Sequence, residues 1–204
     1  MGKKQKKLTG HPAADALDWD EAMSLVDSLF EDGRYRDSLL VASGCMLGLR
    51  ISDLLTLTWD DLSDKETLAL YEKKTGKKRL LRVNPKLSEH ASKCREMLDI
   101  NDGTEYVFCG RTYGPHTAIT RQRACQILAQ CKKDYNIKSA KVFSTHSLRK
   151  TFGRRVWFME CEKGRGEQAL LLLQDVFGHS SIQITKRYLG IRQDEILSVY
   201  DSIF

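Results

Sequence analysis

Apolar residues recur at helical spacing along most of this chain and at a spacing of two over one short stretch near its middle. Trp19, Met23, Val26 and Phe30 mark one face of a helix, opened by Asp18 with Glu21 three residues on in a capping-box pattern and closed at Gly33. Leu39, Leu40, Ala42, Cys45 and Met46 predict a second, more buried helix that stops near Gly48, and Ile51 to Trp59 predicts a short third. The period then drops to two. Thr67-Leu-Ala-Leu-Tyr-Glu-Lys, a turn at Thr75-Gly76 and Lys78-Arg-Leu-Leu-Arg-Val read as an antiparallel hairpin, with Tyr106-Val-Phe108 as a third strand. Helical spacing returns around 86–99, 116–133, 146–160, 167–177 and 181–188. A last helix over 192–203 places Ile196, Val199, Tyr200 and Ile203 on one side. The fold class expected is α+β, mostly α-helical: one multi-helix domain over 16–204 with a small antiparallel three-stranded sheet. Residues 1–15, carrying Lys3, Lys4, Lys6 and Lys7, read as a basic flexible tail.

Charge adds a partner class to this picture. The formal net charge is +6 and the isoelectric point about 9.0, which favours a polyanion without requiring one. No apolar run approaches the roughly 18 residues of a membrane span. The start, Met1-Gly-Lys-Lys-Gln-Lys-Lys, lacks the apolar stretch of a secretory signal, and Lys6 stands where a myristoylation motif wants Ser or Thr. The six cysteines form no CxxC pair. Cys45, Cys125 and Cys161 sit among apolar neighbours, where cysteine packs as a small hydrophobe. Neither a disulfide framework nor a zinc site is expected, no cofactor is implied, and a reducing cytoplasm is the natural compartment.

The chemistry concentrates in a few short motifs. His146 and Arg149 lie three apart on one helix face. Arginine suits a phosphate because its planar fork donates two parallel hydrogen bonds and stays charged. Histidine suits proton transfer because it titrates near neutral pH. Gly178-His179-Ser-Ser precedes Tyr188 by a short polar helix, and Lys186 and Arg187 adjoin that tyrosine, as suits the approach of a DNA backbone. A phenol with a pKa near 10 attacks poorly unless its proton leaves and positive charge surrounds the phosphate. Arg50 follows Gly48-Leu49, and Asp53 is placed to hold it by ion pairing. The turn Lys73-Lys-Thr-Gly-Lys-Lys-Arg79 has two readings: a solvated, lysine-blunted sheet edge, or a β-turn entering a DNA groove and delivering one lysine as a general acid.

Taken in order, Gly48-Leu-Arg50-Ile-Ser-Asp53-Leu-Leu, Lys74-Thr-Gly, His146-Ser-Leu-Arg149-Lys-Thr-Phe and Leu173-Gln-Asp-Val-Phe-Gly-His179-Ser-Ser-Ile-Gln-Ile-Thr-Lys-Arg-Tyr188 closely resemble the catalytic-domain motifs of the tyrosine recombinases, the phage integrase family. The resemblance covers roughly residues 18–203. It implies a site-specific recombinase that cleaves and rejoins double-stranded DNA through a 3′-phosphotyrosyl bond, without metal or nucleotide. By it, Arg50 and Arg149 clamp the scissile phosphate, and His179 bonds a nonbridging oxygen. His146 assists proton transfer, Lys74 protonates the leaving 5′ oxygen, and Tyr188 is the nucleophile. A topoisomerase-like nicking-closing enzyme and a catalytically silent DNA-binding module of the same fold are the competing readings. Family members usually carry a separate core-binding domain before the catalytic one, whereas only about seventeen residues precede the first motif helix here. The loop Glu160-Cys-Glu-Lys-Gly-Arg-Gly166 reads as an insertion that leaves the site intact. The resemblance also implies a homo-tetramer on DNA, with the 192–203 helix docking on a neighbouring protomer or folding onto its own core.

Overall fold

A computed structural model describes residues 14–110 and 114–191; the lysines of the basic start and the expected helix over 192–203 lie outside them. Asp18 opens α1 (Trp19–Glu31), its carboxylate accepting from the backbone N–H groups of Asp20 and Glu21. The anticipated capping box does not close. Glu21 instead accepts from the backbone N–H groups of Lys138 at 2.8 Å and Ser139 at 3.0 Å, tying α1 to a distant loop. Helix α2 (Tyr35–Leu47) is apolar on nearly all sides, with Leu39, Leu40, Val41, Ala42 and Cys45 buried, so it runs through the centre of the core. It ends at Gly48 with φ +59°. The left-handed cap suits glycine, and no side chain fits there because an added Cβ would fall 2.3 Å from Phe152 Cδ1.

The expected third helix is two single turns, α3 (Ile51–Leu54) and α4 (Trp59–Leu62). Thr58 and Asp61 form a capping box that starts a new turn instead of continuing the old one, and it seats Trp59 fully in the core. Strands β1 (Thr67–Tyr71) and β2 (Lys78–Arg82) pair antiparallel, Thr67 opposite Arg82 and Tyr71 opposite Lys78. Helix α5 (Pro85–Met97) starts behind Asn84, with Pro85 at the first helical position.

The third strand of the expected sheet is absent. Tyr106-Val-Phe108 does not join the first hairpin: the Val107 N–H bonds the carbonyl of Leu57, and the Tyr106 N–H that of Pro115. A second two-stranded sheet forms from β3 (Cys109–Gly110) and β4 (Gly114–Ala118). Helix α6 (Arg121–Asp134) therefore begins later than the sequence suggests, because residues 114–118 are strand and Thr120 is the cap. Then follow α7 (Thr145–Cys161), α8 (Gly166–Phe177) and α9 (Ile182–Leu189). The supposed insertion is a tight turn over 162–165 between α7 and α8. Cys45 is fully buried, and burial pushes its thiol up to about 12; Cys161, expected among apolar neighbours, is exposed.

The mostly helical α+β class stands, with two small sheets among the described residues instead of one. A large core gathers around α2, and a smaller one joins Leu170, Leu173, Phe177, Leu189 and Ile191. Gly153 lets the smaller core close against α7: a Cβ there would sit 2.5 Å from Leu189 Cδ2 and 2.8 Å from Phe177 Cζ. Among the described residues no helix is long and apolar enough to cross a membrane.

Candidate active site

The C-terminal end of α8 organises the site. Its Phe177 carbonyl belongs to the last turn of the helix, where carbonyls lack helical partners and the helix dipole is negative. Two guanidinium groups converge on it. Arg50 Nη2 and Arg149 Nη2 each donate to Phe177 O at 3.1 Å. Arg149 also donates to Gly48 O at 2.5 Å, and its guanidinium lies 4.5 Å from the centre of the Phe177 ring. The local backbone explains the convergence. Gly48 turns the chain out of α2 and so delivers Arg50 to the start of α3, while α7 carries Arg149 into the core at 6 % exposure.

Two like charges this close repel, and the surroundings offset that. Burial pushes Arg149 down to about 10, Arg50 and Arg79 push in the same direction, and Tyr188 and Glu72 oppose them. Arg149 remains protonated at neutral pH. The counter-ion for Arg50 is Glu72, whose Oε2 lies 2.8 Å from Nη1. The expected partner, Asp53, does not serve: its Oδ1 takes the backbone N–H of Lys73 at 3.0 Å and the Ser52 hydroxyl at 3.2 Å. Its Oδ2 is buried without a partner among the described residues. Asp53 thus anchors the foot of the hairpin through that N–H.

Phe177, His179 and Tyr188 form an aromatic trio. Their ring centres lie 5.2–5.4 Å apart in tilted and edge-on pairs. Gly178 (φ +63°) turns the chain from α8 toward α9, which presents Tyr188 back to Phe177. The Tyr188 hydroxyl is buried with no well-aligned hydrogen-bond partner among the described residues. Burial raises its pKa, and the nearby Arg149 guanidinium, then Arg50, draw it part of the way back. His179 Nδ1 lies 3.0 Å from Thr185 Oγ1. Burial, then Arg149 and Arg50, lower the His179 pKa, so its ring is neutral at pH 7.

His146 sits one turn before Arg149. It is exposed as a residue, but its ring is partly desolvated, which together with Arg121, Arg149 and Lys150 lowers its pKa. Its Nε2 lies 3.4 Å from Arg121 Nη2. Lys74 stands exposed in the turn beyond Glu72 and makes no contact with the other five. Four of the six expected residues, Arg50, Arg149, His179 and Tyr188, therefore meet around Phe177. His146 flanks them and Lys74 stays outside.

Sequence reading missed Glu72, Thr185 and the Phe177 carbonyl. Strand alternation carried the signal for Glu72: Leu68 and Leu70 point inward, and so does position 72. A main-chain acceptor leaves no mark in a sequence.

The family model described as the phage integrase family matches residues 16–195. A probable integrase/recombinase, YoeC, of Bacillus subtilis (strain 168) is 34% identical over 166 residues, covering 81% of this chain and 83% of that protein. The tyrosine recombinase XerC of Pelobacter propionicus is 26% identical over 201 residues, covering 98% of this chain and 61% of that protein. Among solved structures, XerH site-specific recombinase bound to palindromic difH substrate in a post-cleavage complex superposes with a TM-score of 0.64 at 18% identity, over 97% of this chain and 56% of that one. The chain thus spans about three fifths of the XerC it matches. On its motifs, its fold and these matches, the chain belongs to the phage integrase family of tyrosine recombinases.

Proposed function

We propose that this chain is a site-specific DNA recombinase in which Tyr188 cleaves a DNA strand and holds its 3′ end as a phosphodiester. The observation that carries this reading is the convergence of Arg50 and Arg149 on one carbonyl, with the tyrosine packed against the ring of that same residue. The relatives named as recombinases, one of them crystallised on its DNA substrate, support DNA as the partner.

In the proposed reaction, Tyr188 Oη attacks the scissile phosphorus and the bond to the 5′ oxygen breaks. The phenol proton passes by way of His146, and Lys74 gives a proton to the leaving oxygen. Negative charge grows on the nonbridging oxygens, where Arg50, Arg149 and His179 receive it. Preorganised donors of this kind usually supply the largest single catalytic effect, about 3–4 kcal/mol for each one removed. His179 Nδ1 and Thr185 Oγ1 share a hydrogen-bond contact while the Thr185 hydroxyl also faces the Ser181 carbonyl; the tautomer with its proton on Nε2 is the one that can donate to phosphate. The phosphotyrosyl bond preserves the energy of the original phosphodiester, so a 5′ hydroxyl from a second duplex reverses the step. Residues 16–204 act as the catalytic unit. Exchange between two duplexes requires four cleavages, and one tyrosine per protomer makes the working form a tetramer on DNA.

The test is a suicide substrate carrying a nick beside the cleavage site, incubated with the protein in EDTA and run on a denaturing gel. Arg50, Arg149 and Lys74 supply the positive charge that a metal would otherwise bring, so a covalent adduct is expected without added magnesium. Tyr188→Phe abolishes it while duplex affinity, which rests on many phosphate contacts, stays within about twofold. An adduct persisting in that variant would move the nucleophile to Tyr135 or Tyr200. Joining of two labelled duplexes, as opposed to relaxation of one, separates recombination from nicking and closing.

A further inference from the structure

Glu72 occupies an unusual position: among the described residues it is the single carboxylate paired with either arginine, and it lies two residues from the turn lysine. Its Oε2 meets Arg50 Nη1 at 2.8 Å and accepts from the Thr75 hydroxyl at 2.8 Å, while its Oε1 lies 3.3 Å from Arg79 Nη1. The pair is well shielded, with 22 % of the Arg50 side chain and 12 % of the Glu72 side chain exposed. Arg50 Nη2 is also engaged, by Phe177 O. Both forked nitrogens of Arg50 therefore have acceptors while the protein is free of DNA. A phosphate gripped by that fork competes with both acceptors for the same two nitrogens.

We propose that Glu72 is a displaceable latch: it holds Arg50 in the place the scissile phosphate would take and releases it when the hairpin moves onto DNA. The proposal rests on the reading of Arg50 as a phosphate clamp. Its mechanical basis is that two carboxylates lace α3 to the hairpin in opposite directions. Glu72 reaches from the hairpin to Arg50, and Asp53 reaches from α3 to the Lys73 N–H at 3.0 Å. The turn holding Lys74 lies directly beyond both ties, so a shift of that turn toward DNA pulls on the carboxylate that occupies Arg50. Opening the latch exposes the arginine and advances the lysine in one motion. Glu72 stays ionised in the closed state: burial pushes its carboxyl up, but the Thr75 hydroxyl and the Arg50 and Arg79 guanidiniums outweigh that and hold it below the usual carboxylate range. Retained beside a phosphate, that charge would oppose the negative charge growing there, which is why the latch must leave.

The substitution that tests this is Glu72→Gln. It keeps the shape and an acceptor but removes the carboxylate charge, so the ion pair becomes a weaker hydrogen bond from the charged guanidinium to a neutral amide oxygen. Two measurements are made. In DNA-free protein, the rate at which phenylglyoxal modifies Arg50 is followed by peptide mass spectrometry, with Arg149 as the buried internal reference. On the nicked suicide substrate, the single-turnover rate of adduct formation is measured at limiting enzyme. The expected result is about a tenfold gain in Arg50 reactivity with Arg149 unchanged, and a gain of several-fold in adduct rate, the order set by one bond to an ionised group. Thr75→Val, an exposed change that removes one of the bonds aiming the carboxylate, gives the same two changes with smaller size and answers the question if Glu72→Gln folds poorly. Unchanged Arg50 reactivity in folded protein overturns the latch. Raised reactivity with a slower adduct also overturns the latch, and makes Glu72 a support that Arg50 needs for cleavage. A wild-type protein that forms no adduct defeats the recombinase reading instead, and the reactivity measurement still decides whether Glu72 covers Arg50.

Discussion

At the scale of single residues, the groups proposed to react are each held by ordinary means in the free protein. Arg50 is occupied by a carboxylate, Arg149 by two carbonyls, and Tyr188 by burial. A buried hydroxyl without a hydrogen bond is destabilising by about 1–3 kcal/mol relative to a satisfied one, and phenylalanine fills the same space without that penalty. Tyr188→Phe is therefore expected to raise the melting temperature by about 2–4 °C, the shift that roughly 1 kcal/mol gives a chain of this size. Differential scanning calorimetry checks it, and a lower melting temperature would mean that the hydroxyl is bonded in solution. The same residues show how far a sequence carries at this scale. Arg50, Arg149, His179 and Tyr188 were legible because their types, order and spacing form a recognisable set, and the fold brings them together around Phe177. The partner of Arg50 was not legible. Asp53 is near in sequence, but its carboxylate is claimed by a backbone N–H from residue 73. Glu72 reaches Arg50 only because a strand returns past α3, which spacing along the chain does not reveal.

At the scale of elements, termini do most of the positioning. The C-terminus of α8 offers the carbonyl that both arginines share, and Gly48 and Gly178 make the turns that bring Arg50 and His179 to it. Helix interiors were read well from apolar spacing: α1, α5, α7, α8 and α9 lie within a residue or two of their expected bounds, and α2 ends where expected but begins four residues before the first apolar position named for it. The misreadings fall where a polar cap or a strand bond overrides apolar spacing, as at Thr58, at Thr120 and along Tyr106-Val-Phe108. The two positive-φ glycines beside the arginine and the lysine make a controlled comparison. Gly76 (φ +66°) has nothing within 4 Å of an added Cβ, whereas Gly48 (φ +59°) would meet Phe152 at 2.3 Å. Gly76→Ala should lower stability by about 1 kcal/mol, the left-handed backbone penalty alone. Gly48→Ala adds a steric clash against a packed ring and should lower it by about 3 kcal/mol or more. Because Gly48 O also holds Arg149, the Gly48 variant should lose adduct formation in the fraction that remains folded, while Gly76→Ala keeps it. Equal destabilisation of the two variants in urea titrations would contradict the packing around Gly48.

At the scale of the whole molecule, the balance of titratable groups sets a direction for acid sensitivity. His90, His146 and His179 all have pKa values below the ordinary 6.5, in each case chiefly through burial. The folded chain thus binds fewer protons than the unfolded chain once pH drops below 6.5, and stability falls with pH through that window until the folded values are passed. Glu21 and Glu72 add a second loss lower down. Burial pushes both carboxyls up, but the Lys138 and Ser139 bonds at Glu21 and the Thr75, Arg50 and Arg79 contacts at Glu72 hold them below the ordinary 4.5, so their contribution is present above that value and disappears as pH falls through the folded ones. Stability should therefore decline in two stages between neutral pH and pH 4, without an optimum in between. The upper stage belongs most firmly to His90, which is half-buried on α5 with its Nε2 2.9 Å from the Ser38 hydroxyl, well away from the arginine cluster. Thermal melts of wild type and His90→Gln across this range separate the stages. The variant should begin from lower stability, since it replaces a fitted ring, but should lose less on going from pH 7 to pH 5.5. The contribution of Glu21 and Glu72 to the lower stage should stay parallel in the two proteins, because neither carboxylate contacts His90. Curves that remain parallel through the upper window as well would assign it to His146 and His179, and would place the acid-sensitive step in the phosphate site itself.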